Sequence, residues 1–357
     1  MKTVTRSVFT GACSLTALMC MAAASQNTAH AIPVTVCGTT LNVPGGQYEL
    51  TGNLTCATAP GVQIGASGIS FDLKGFAIFG PGFGSGIVTA SGHACKAVTD
   101  VSIVNGTVSR FAAGIDLCAP YVAGGTVMHA RVAGVRLTRN TDGIRIFNSN
   151  ANTVQEDNIA ENRGVGVRLS NSHANRFLSN TINANASAAF SGGMLLSQSN
   201  GNFIESSNVS RNGRFGILIQ ASDKNTVAGN TVNDTNVAGS PGTGIIVIGP
   251  GSGGNRLNFN TAENNQHGIS LGCSGGCALV SPEVGGVVDS LLVGNRANRN
   301  KVFGIDLSDN TAMNVVKFNV AAGNGAFDGH DDQGVPPCGS NQWQNNTFGI
   351  VNQFCVQ

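Results

Sequence analysis

One short phrase recurs through most of the chain: a glycine, an apolar residue, any residue and a second apolar residue. Between Gly143 and Gly268 its copies begin 23 to 28 residues apart. The copies begin at Gly114, Gly143, Gly166, Gly193, Gly216, Gly244, Gly268 and Gly304. A period of this length identifies a repeat architecture. Because one copy cannot bury its own apolar face, the copies must stack on each other along one axis.

A single repeat, from Gly143 to Asn162, shows how each copy folds. Ile144 and Ile146 alternate with Arg145, which is the period of a strand with one buried face. Further strands are marked by pairs of the form Asn-x-apolar, at Asn152/Val154, Asn175/Phe177, Asn180/Ile182, Asn202/Ile204, Asn225/Val227 and Asn230/Val232. Asn tolerates the left-handed conformation that the intervening turns require. We therefore predict three short strands per coil, with buried Asn amides hydrogen-bonded along the stack.

This pattern resembles the right-handed parallel β-helix of the pectate-lyase-like superfamily, from roughly Val98 to the C-terminus. The resemblance implies an all-β, single-domain solenoid. The composition agrees, because 49 of 357 residues are glycine and only 11% are charged, whereas a helical chain carries more Lys, Glu and Leu. The superfamily includes polysaccharide lyases, hydrolases, alginate epimerases, copper-site maturation proteins, tailspikes and non-catalytic adhesins. The resemblance therefore specifies the fold and leaves the activity open.

The sequence divides into a leader, an irregular segment and the repeat. Lys2 and Arg6 precede an apolar stretch, and Ala29-His30-Ala31 supplies small residues for cleavage, so residues 1–31 are predicted to be a secretory signal. A membrane anchor is less favoured, because polar residues interrupt the apolar stretch. Residues 32–97 are predicted to form irregular first coils and a cap, and residues 98–357 the β-helix with a C-terminal cap. The predicted location is secreted or periplasmic, without a membrane span.

Cysteine usage also indicates export. Of ten cysteines, Cys13 and Cys20 lie in the leader, and the mature chain keeps Cys37, Cys56, Cys95, Cys118, Cys273, Cys277, Cys338 and Cys355. An even set suits disulfides in an oxidising compartment. Pairing of sequence neighbours is the simplest arrangement, because a solenoid places them on adjacent coils, and Cys338 and Cys355 would then staple the last coil. No nearby ligands complete a metal site at the Cys273–Cys277 spacing, so no metal is predicted there.

The variable residue of each phrase is predicted to face outward, because its two apolar neighbours face the core. Stacking turns these positions into one column: Asp116, Arg145, Arg168, Leu195, Leu218, Ile246, Ser270 and Asp306. Arg145 and Arg168 either bind an acidic sugar or form a solvated polar face. Leu195, Leu218 and Ile246 are predicted to form an exposed apolar stripe that serves as a partner surface, serves as a sugar platform or lies under a loop.

Asn140-Thr141-Asp142-Gly143 resembles the NTD motif of polygalacturonases. That family also requires a paired Asp, a Gly-His-Gly and an Arg-Ile-Lys, and none of these occurs in the chain. The segment is equally typical of a turn that leads into a strand. We therefore interpret it as a turn.

Asp328-Gly329-His330-Asp331-Asp332 resembles the Asp-Pro-His-Asp segment of alginate epimerases. Together with Asp306 of the preceding coil it provides a candidate catalytic set of Asp306, His330, Asp331 and Asp332, in which His330 would be the general base. The same carboxylates could instead bind calcium, or cap the solenoid by accepting backbone N–H bonds. We favour the cap, because the segment is terminal and no Lys or Tyr partner accompanies it in sequence.

Two functions are consistent with the sequence. The first is a secreted, non-enzymatic β-helix that binds an acidic polysaccharide or another cell-surface glycan or partner. The second is a polysaccharide lyase or uronan C5-epimerase working near His330. No complete catalytic constellation accompanies Arg145 and Arg168, which favours the first. The formal net charge is +1 without a basic stripe, so no nucleic-acid partner is predicted. No cofactor is required, calcium at the C-terminal cluster stays open, and so does the oligomeric state.

Overall fold

In the computed structural model, the copies of the phrase lie in one parallel sheet of twelve strands, here called sheet I. The structure describes residues 30–91, 94–118, 125–186, 190–235, 242–272, 286–308, 310–334 and 337–356. In stacking order the strands of sheet I are Thr39–Leu41, Val62–Ile64, Ser85–Val88, Ala113–Leu117, Asp142–Phe147, Val165–Ser170, Gly192–Ser197, Phe215–Gln220, Thr243–Ile248, His267–Leu271, Phe303–Leu307 and Phe327–Asp331. Each strand pairs with the strand of the next coil.

A second set of seventeen strands, sheet II, completes the coils. Its strands are Ile32–Val34, Gln47–Leu50, Leu54–Thr55, Ser70–Asp72, Ala77–Phe79, Ser102–Ser109, Arg131–Thr138, Thr153–Gln155, Asn158–Ala160, Arg176–Leu178, Thr181–Asn183, Phe203–Glu205, Thr226–Ala228, Arg256–Asn258, Leu291–Val293, Val315–Lys317 and Gln342–Gln344. A coil such as 142–160 holds one strand of sheet I and two of sheet II, which confirms the predicted three strands per coil.

Three short strand pairs supplement the two sheets: Ala90–Ser91 with Ala94–Cys95, Val98–Thr99 with Val127–Met128, and Val320–Ala321 with Thr347–Phe348. Only the first of these pairs is antiparallel. The described residues contain no helix. Accordingly, that part of the chain offers no helical segment with the length and apolar character needed to cross a bilayer.

Close packing between coils explains the repeat glycine. A Cβ atom built on Gly193 would lie 2.5 Å from the carbonyl oxygen of Gly216 and 2.4 Å from a methyl carbon of Val209. Gly216 is the equivalent glycine of the next coil, so a side chain at this position would force the two coils apart. The phrase therefore begins with glycine because neighbouring backbones approach each other here.

Buried polar side chains form ladders along the stack, including one of serines: Ser149, Ser172, Ser199, Ser222 and Ser252. In each ladder, a side-chain oxygen accepts the backbone N–H of the equivalent residue one coil earlier, as Asn175 does for Asn152 at 3.0 Å. Ladder A contains Asn152, Asn175, Asn202, Asn225 and Asn255; ladder B contains Asp157, Asn180, Ser207, Asn230, Asn260, Asn295, Asn319 and Asn346; ladder C contains Asn140, Asn162, Asn185 and Asn212, and then Thr235, Asn265, Asn300 and Asn324. The ladders confirm the predicted bonding along the stack, and they satisfy backbone donors at the coil corners.

Three disulfides join sequence neighbours, as predicted: Cys37–Cys56, Cys95–Cys118 and Cys338–Cys355. The last of these staples the C-terminal coil. Cys273 and Cys277 lie outside the described residues, as do residues 1–29 of the predicted signal. The disulfides close loops in the unfolded chain and thereby stabilise the fold at both ends of the stack.

Parallel stacking begins at the first described strands. Ile32–Val34 pairs with Gln47–Leu50, and Thr39–Leu41 pairs with Val62–Ile64. The described part of residues 32–97, predicted to be irregular coils and a cap, thus contributes strands to sheets I and II. Residues 31–357 form one compact unit.

Candidate functional site

The predicted outward column of sheet I is in register. Asp116 pairs with Arg145, and Arg145 pairs with Arg168. The column continues through Leu195, Leu218, Ile246, Ser270 and Asp306. It then extends by one coil, because Asp306 pairs with His330. The order of the column is therefore confirmed, and it ends on the only histidine it contains.

A second row of side chains lies beside this column, at the position before each repeat glycine. It contains Ser85, Ala113, Asp142, Val165, Gly192, Phe215, Thr243, His267, Phe303 and Phe327. Members of the row contact the column: Asp142 is bonded to Arg145, and the ring of Phe303 stacks on His330. The two rows together form what is here called the outer face of sheet I.

The middle of the outer face is buried. Leu195, Leu218 and Ile246 are at most 5% exposed, so the prediction of an exposed apolar stripe was wrong. They belong to a cluster separate from the main core, completed by Val165, Phe215 and Ile248, and the half-buried Phe190 packs against it. The register of the stripe is therefore right, but the stripe is buried, and Phe190 from outside the strands packs against it. This leaves two accessible ends of the outer face, one at the arginines and one at His330.

At the N-terminal end, Asp142 holds two guanidinium groups side by side. Its Oδ2 accepts from Nε of Arg145 at 2.9 Å and from Nε of Arg168 at 3.1 Å. Its Oδ1 accepts the backbone N–H of Val165. Burial opposes the ionisation of Asp142, but the charge of Arg168, the Val165 bond and the charge of Arg145 together lower its pKa. Asp142, interpreted from sequence as part of a turn, is thus the ionised centre of a charge cluster.

Asp116 lies beside Arg145 in the same column and is 2% exposed. Its Oδ2 is 3.2 Å from the hydroxyl oxygen of Ser85, while its buried Oδ1 has no hydrogen-bond partner in the described part of the chain. Burial raises the pKa of Asp116 to about 6, although Arg145 and Ser85 oppose the shift. The charge of this end therefore depends on pH: two guanidinium groups face one permanently ionised carboxylate and one that gains a proton near pH 6.

At the C-terminal end, His330 lies between two carboxylates. Its Nδ1 is 2.8 Å from Asp306 Oδ1, and its Nε2 is 3.3 Å from Asp332 Oδ1. Its ring stacks on Phe303 with 4.2 Å between centroids and on Phe327 with 5.4 Å. Asp306 and His330 are buried, Asp332 is exposed, and both phenyl rings are partly exposed. The result is a row of flat rings with carboxylate oxygens at its edge.

Two residues of the C-terminal acidic segment, Asp328 and Asp331, lie outside this group of Asp306, His330 and Asp332. Asp331 pairs with the core residue Leu307, is fully buried, and accepts bonds from Trp343 Nε1 and the Gln333 backbone N–H. Asp328 accepts the backbone N–H groups of Asn324, Gly349 and Ile350 and so ends ladder C. The Asp331 side chain thus points into the last coil, and the structure does not group it with Asp306, His330 and Asp332. Both carboxylates accept backbone N–H bonds, as the cap interpretation expects.

The charge on His330 is stabilised by its neighbours. Burial disfavours the imidazolium, but the hydrogen bond and charge of Asp306, with the charges of Asp332 and Asp331, raise the pKa of His330 above its usual 6.5. Burial lowers the pKa of His267, an effect that Asp306 opposes and His330 reinforces. The pKa values of the two imidazoles in this row of rings are therefore shifted in opposite directions.

This shift predicts a pH-dependent contribution of His330 to stability. Because the folded-state pKa is raised, the contribution is fully present below the unfolded-state value of 6.5 and is lost as the pH rises through the folded-state value. The difference in unfolding free energy between wild type and His330→Gln should thus shrink from about pH 5 to about pH 9 in urea titrations. The exposed His129→Gln is the control. Parallel pH profiles for wild type and His330→Gln would contradict the assignment.

Asp306, His330 and Asp332 also form a possible metal-ligand group. One ligand atom from each lies within 4.8 Å of the others, and no other group of this kind occurs among the described residues. Calcium takes six to eight oxygen ligands, whereas this group offers two carboxylates and one imidazole nitrogen. Calcium at this end therefore stays a prediction. The set of one nitrogen and two oxygens is closer to what Zn²⁺ or Mn²⁺ accepts.

Comparisons with known proteins agree with the fold. A family model described as "Periplasmic copper-binding protein (NosD)" matches residues 81–249, somewhat less than half of the chain. A search of curated proteins found no match. Among solved structures, DFA-IIIase from Arthrobacter chlorophenolicus A6 in complex with DFA-III is 12% identical, with a TM-score of 0.54 over 89% of this chain and 88% of that chain.

Two further solved structures give the same result. Pectate lyase Pel9A is 11% identical with a TM-score of 0.52 over 91% of this chain and 80% of that chain. The Dettilon tailspike protein is 15% identical with a TM-score of 0.55 over 83% of this chain and 62% of that chain. At such identities the likeness concerns the fold alone. The chain is a right-handed parallel β-helix of the pectate-lyase-like type.

The description of the matching family raises the question of copper. In the described part of residues 81–249, His129 is exposed and lies 3.7 Å from Asp100, and His173 Nδ1 accepts the Asn200 N–H. Neither histidine has further ligands grouped around it in the described residues, and the group at His330 lies outside the matched segment. Its carboxylates are also not the soft sulfur ligands that select Cu(I). The described residues therefore do not fit a copper site in the matched segment.

The sequence analysis missed Asp142, His267, Phe303 and Phe327 as site residues. All four occupy the position before the repeat glycine or its equivalent, and that position faces outward together with the variable residue. Reading this second row down the repeats would have revealed the aromatic residues at one end and the carboxylate beside the arginines at the other. The signal was present in the same alignment of repeats.

Proposed function

We propose that the protein is an exported, glycan-binding β-helix that holds a saccharide against Phe303, Phe327 and His330 on the outer face of sheet I. The observation that carries the proposal is the row of rings itself. Phe303 and Phe327 stack at 6.2 Å with an 18° interplanar angle, and His330 lies nearly parallel to Phe303 at 6°. The partly exposed phenyl rings of Phe303 and Phe327 offer apolar contact surface to the C–H groups of a sugar.

The carboxylates at the edge of the rings complement this platform. Asp306 and Asp332 carry acceptor oxygens next to His330, and sugar hydroxyls are donors for such oxygens. Two carboxylates and one imidazolium leave a net negative charge at this end, which disfavours a uronate directly on the rings. The geometry therefore favours a sugar unit recognised through its hydroxyl groups here.

Binding is favoured over base catalysis by the state of His330. Both ring nitrogens lie near carboxylate oxygens, at 2.8 and 3.3 Å. The raised pKa of His330 favours the imidazolium, in which both nitrogens are donors and neither can accept a proton. A general base needs a free nitrogen within reach of the substrate proton. The arrangement is thus suited to holding a ligand in place.

Alanine substitution of the platform tests the proposal. A panel of neutral oligosaccharides is screened by saturation-transfer NMR, and the dissociation constants of those that bind are measured by calorimetry. Phe303→Ala and Phe327→Ala should each weaken binding by about tenfold or more. Phe259→Ala is the matched control, because this phenyl is 68% exposed and lies outside sheet I. Binding that survives in both platform variants, or a panel without a single ligand, would refute the proposal.

The Asp306–His330 bond favours a second candidate function. A carboxylate that orients an imidazole at 2.8 Å also occurs in acid–base enzymes, so a polysaccharide lyase or uronan C5-epimerase is the alternative. Incubation with alginate and pectate, followed by ultraviolet absorbance and NMR, tests it. New unsaturated or epimerised products that disappear in His330→Ala, with unchanged thermal melting, would place this candidate first.

Export is supported by the leader and the disulfides. Residues 1–31 have the basic start, apolar stretch and small-residue site of a secretory signal. The disulfides Cys37–Cys56, Cys95–Cys118 and Cys338–Cys355 require an oxidising compartment. A secreted or periplasmic location would also bring the outer face of sheet I to glycans of the cell surface. Mass spectrometry of the mature N-terminus should find cleavage before Ile32.

A further inference from the structure

A second binding site lies at the opposite end of the outer face. We propose that Arg145 and Arg168 form an oxyanion site for the carboxylate or sulfate group of an acidic sugar, and that Asp116 controls it through its protonation. The identity of the ligand as a sugar rests on the proposed glycan-binding function, but the anion site does not. The two arginines occupy paired positions on neighbouring coils, roughly one strand spacing of about 4.8 Å apart.

Asp142 fixes the two guanidinium groups in place and leaves their terminal nitrogens available as donors. Each uses Nε to bond the same oxygen of Asp142, at 2.9 and 3.1 Å. In the described part of the chain their terminal nitrogens donate no hydrogen bond, and the two side chains are 22% and 26% exposed. An Arg fork matches an oxyanion in two-point contact. Because Asp142 orders both guanidinium groups before a ligand binds, the two arginine side chains would lose little conformational entropy on binding.

The surroundings leave a net positive charge when Asp116 is protonated. The groups that face Asp116 are Ser85 on the preceding coil and Arg145 on the next, with Asp142 and Arg168 beyond. With Asp116 neutral, two cations face one carboxylate, so an oxyanion restores balance. With Asp116 ionised, the cluster is already neutral. The apolar side of the site is formed by Phe190, whose ring lies 6.0 Å from the Arg168 guanidinium carbon.

Asp116 is also the group most changed by a bound anion. Its buried Oδ1 has no partner among the described residues, and its pKa of about 6 lies where a small shift alters its charge. A ligand anion beside Arg145 offsets the charge that favours ionisation, so binding should raise this pKa further. By linkage, binding near pH 6 should therefore take up protons, and affinity should fall as the pH rises.

Calorimetry and NMR test the proposal with three probes: glucuronate, glucose 6-sulfate and glucose. At the arginines, followed through their Nε–H NMR signals, both anionic sugars should bind and glucose should not, and the affinity should fall about tenfold between about pH 5 and about pH 8. Whichever anion binds more tightly identifies the carboxylate or the sulfate as the natural group. Titration in buffers of different ionisation enthalpy should reveal proton uptake in wild type and none in Asp116→Asn.

Conservative variants keep the outcome interpretable. Arg145→Lys and Arg168→Lys retain the charge that pairs with Asp142 but lose the fork, so each should weaken binding about tenfold. The exposed Arg139→Lys is the control. Equal binding of glucose at the arginines, full affinity of the anionic sugars for the double lysine variant, or pH-independent binding of these sugars to wild type would overturn the proposal. Glucuronate still bound at the arginines while no saccharide binds at Phe303 would refute the proposed function alone, and the reverse would refute this inference alone.

Discussion

Replacing Asn202 by alanine should lower the free energy of unfolding by about 3–5 kcal/mol. Asn202 is fully buried in the middle of ladder A. Its Oδ1 accepts both the backbone N–H and the side-chain amide of Asn175, and its Nδ2 donates to the Ser172 carbonyl and to Asn225 Oδ1. Alanine would leave the Asn175 N–H and the Ser172 carbonyl unpaired, and each unpaired buried group costs about 1–3 kcal/mol. Asn175 Nδ2 would keep its bond to the Ser149 carbonyl, and Asn225 Oδ1 would keep the backbone N–H of residue 202.

Urea unfolding of the disulfide-intact chain measures this effect. Asn158→Ala is the matched control, because Asn158 is an exposed strand residue outside the ladders, and its substitution should change stability by less than about 0.5 kcal/mol. A change of similar size in the two variants would show that the ladders do not stabilise the stack more than a surface asparagine does.

Replacing Asp157 by asparagine should stabilise the protein at alkaline pH by on the order of 2–4 kcal/mol. Asp157 takes the place of an asparagine in ladder B and is 2% exposed. Its Oδ1 accepts the Val135 N–H at 2.6 Å, but its buried Oδ2 has no partner in the described part of the chain. In the next coil, Asn180 Nδ2 donates to the Val154 carbonyl. An asparagine at 157 would supply the same donor.

The pH dependence follows from the raised pKa. Burial raises the pKa of Asp157 to about 7 from 3.8, against the Val135 hydrogen bond. Between these values the folded state holds a proton that the unfolded state has released, so stability falls as the pH rises from about 4 to about 7. Asp157→Asn should remove this fall, whereas the exposed Asp289→Asn should leave it unchanged. Equal pH profiles for wild type and Asp157→Asn in denaturant titrations would contradict the assignment.

The repeat made the scaffold predictable. Once Gly143 and Gly166 are aligned, the pairing of Arg145 with Arg168 follows from strand period alone, and the structure has that pairing. The Asn-x-apolar pairs likewise predicted ladder contacts such as Asn175 to Asn202. Both features depend on local rules that every coil obeys, so a single sequence contains many copies of the same information.

Two features of the structure were not predicted from the repeat: the burial of Leu218 and the opposite directions of the His330 and Asp331 side chains. Leu218 has the register expected of an outward residue, yet it is fully buried in a cluster against which Phe190, a residue outside the repeat, packs. At the C-terminal end, Asp331 and His330 are adjacent in sequence, but strand alternation sends one into the coil and the other to the outer face. Acidic composition alone did not separate the cap from the candidate site.

The most direct test of the proposed function is a residue-resolved titration. The protein is labelled on its phenylalanine rings, and aromatic NMR spectra are followed as an oligosaccharide ligand from the screen is added. The Phe303 and Phe327 signals, assigned with the alanine variants, should shift with the same dissociation constant that calorimetry gives, while those of the exposed Phe259 and Phe203 should stay in place. A saccharide that binds and shifts other rings, with Phe303 and Phe327 unmoved, would contradict the proposed site.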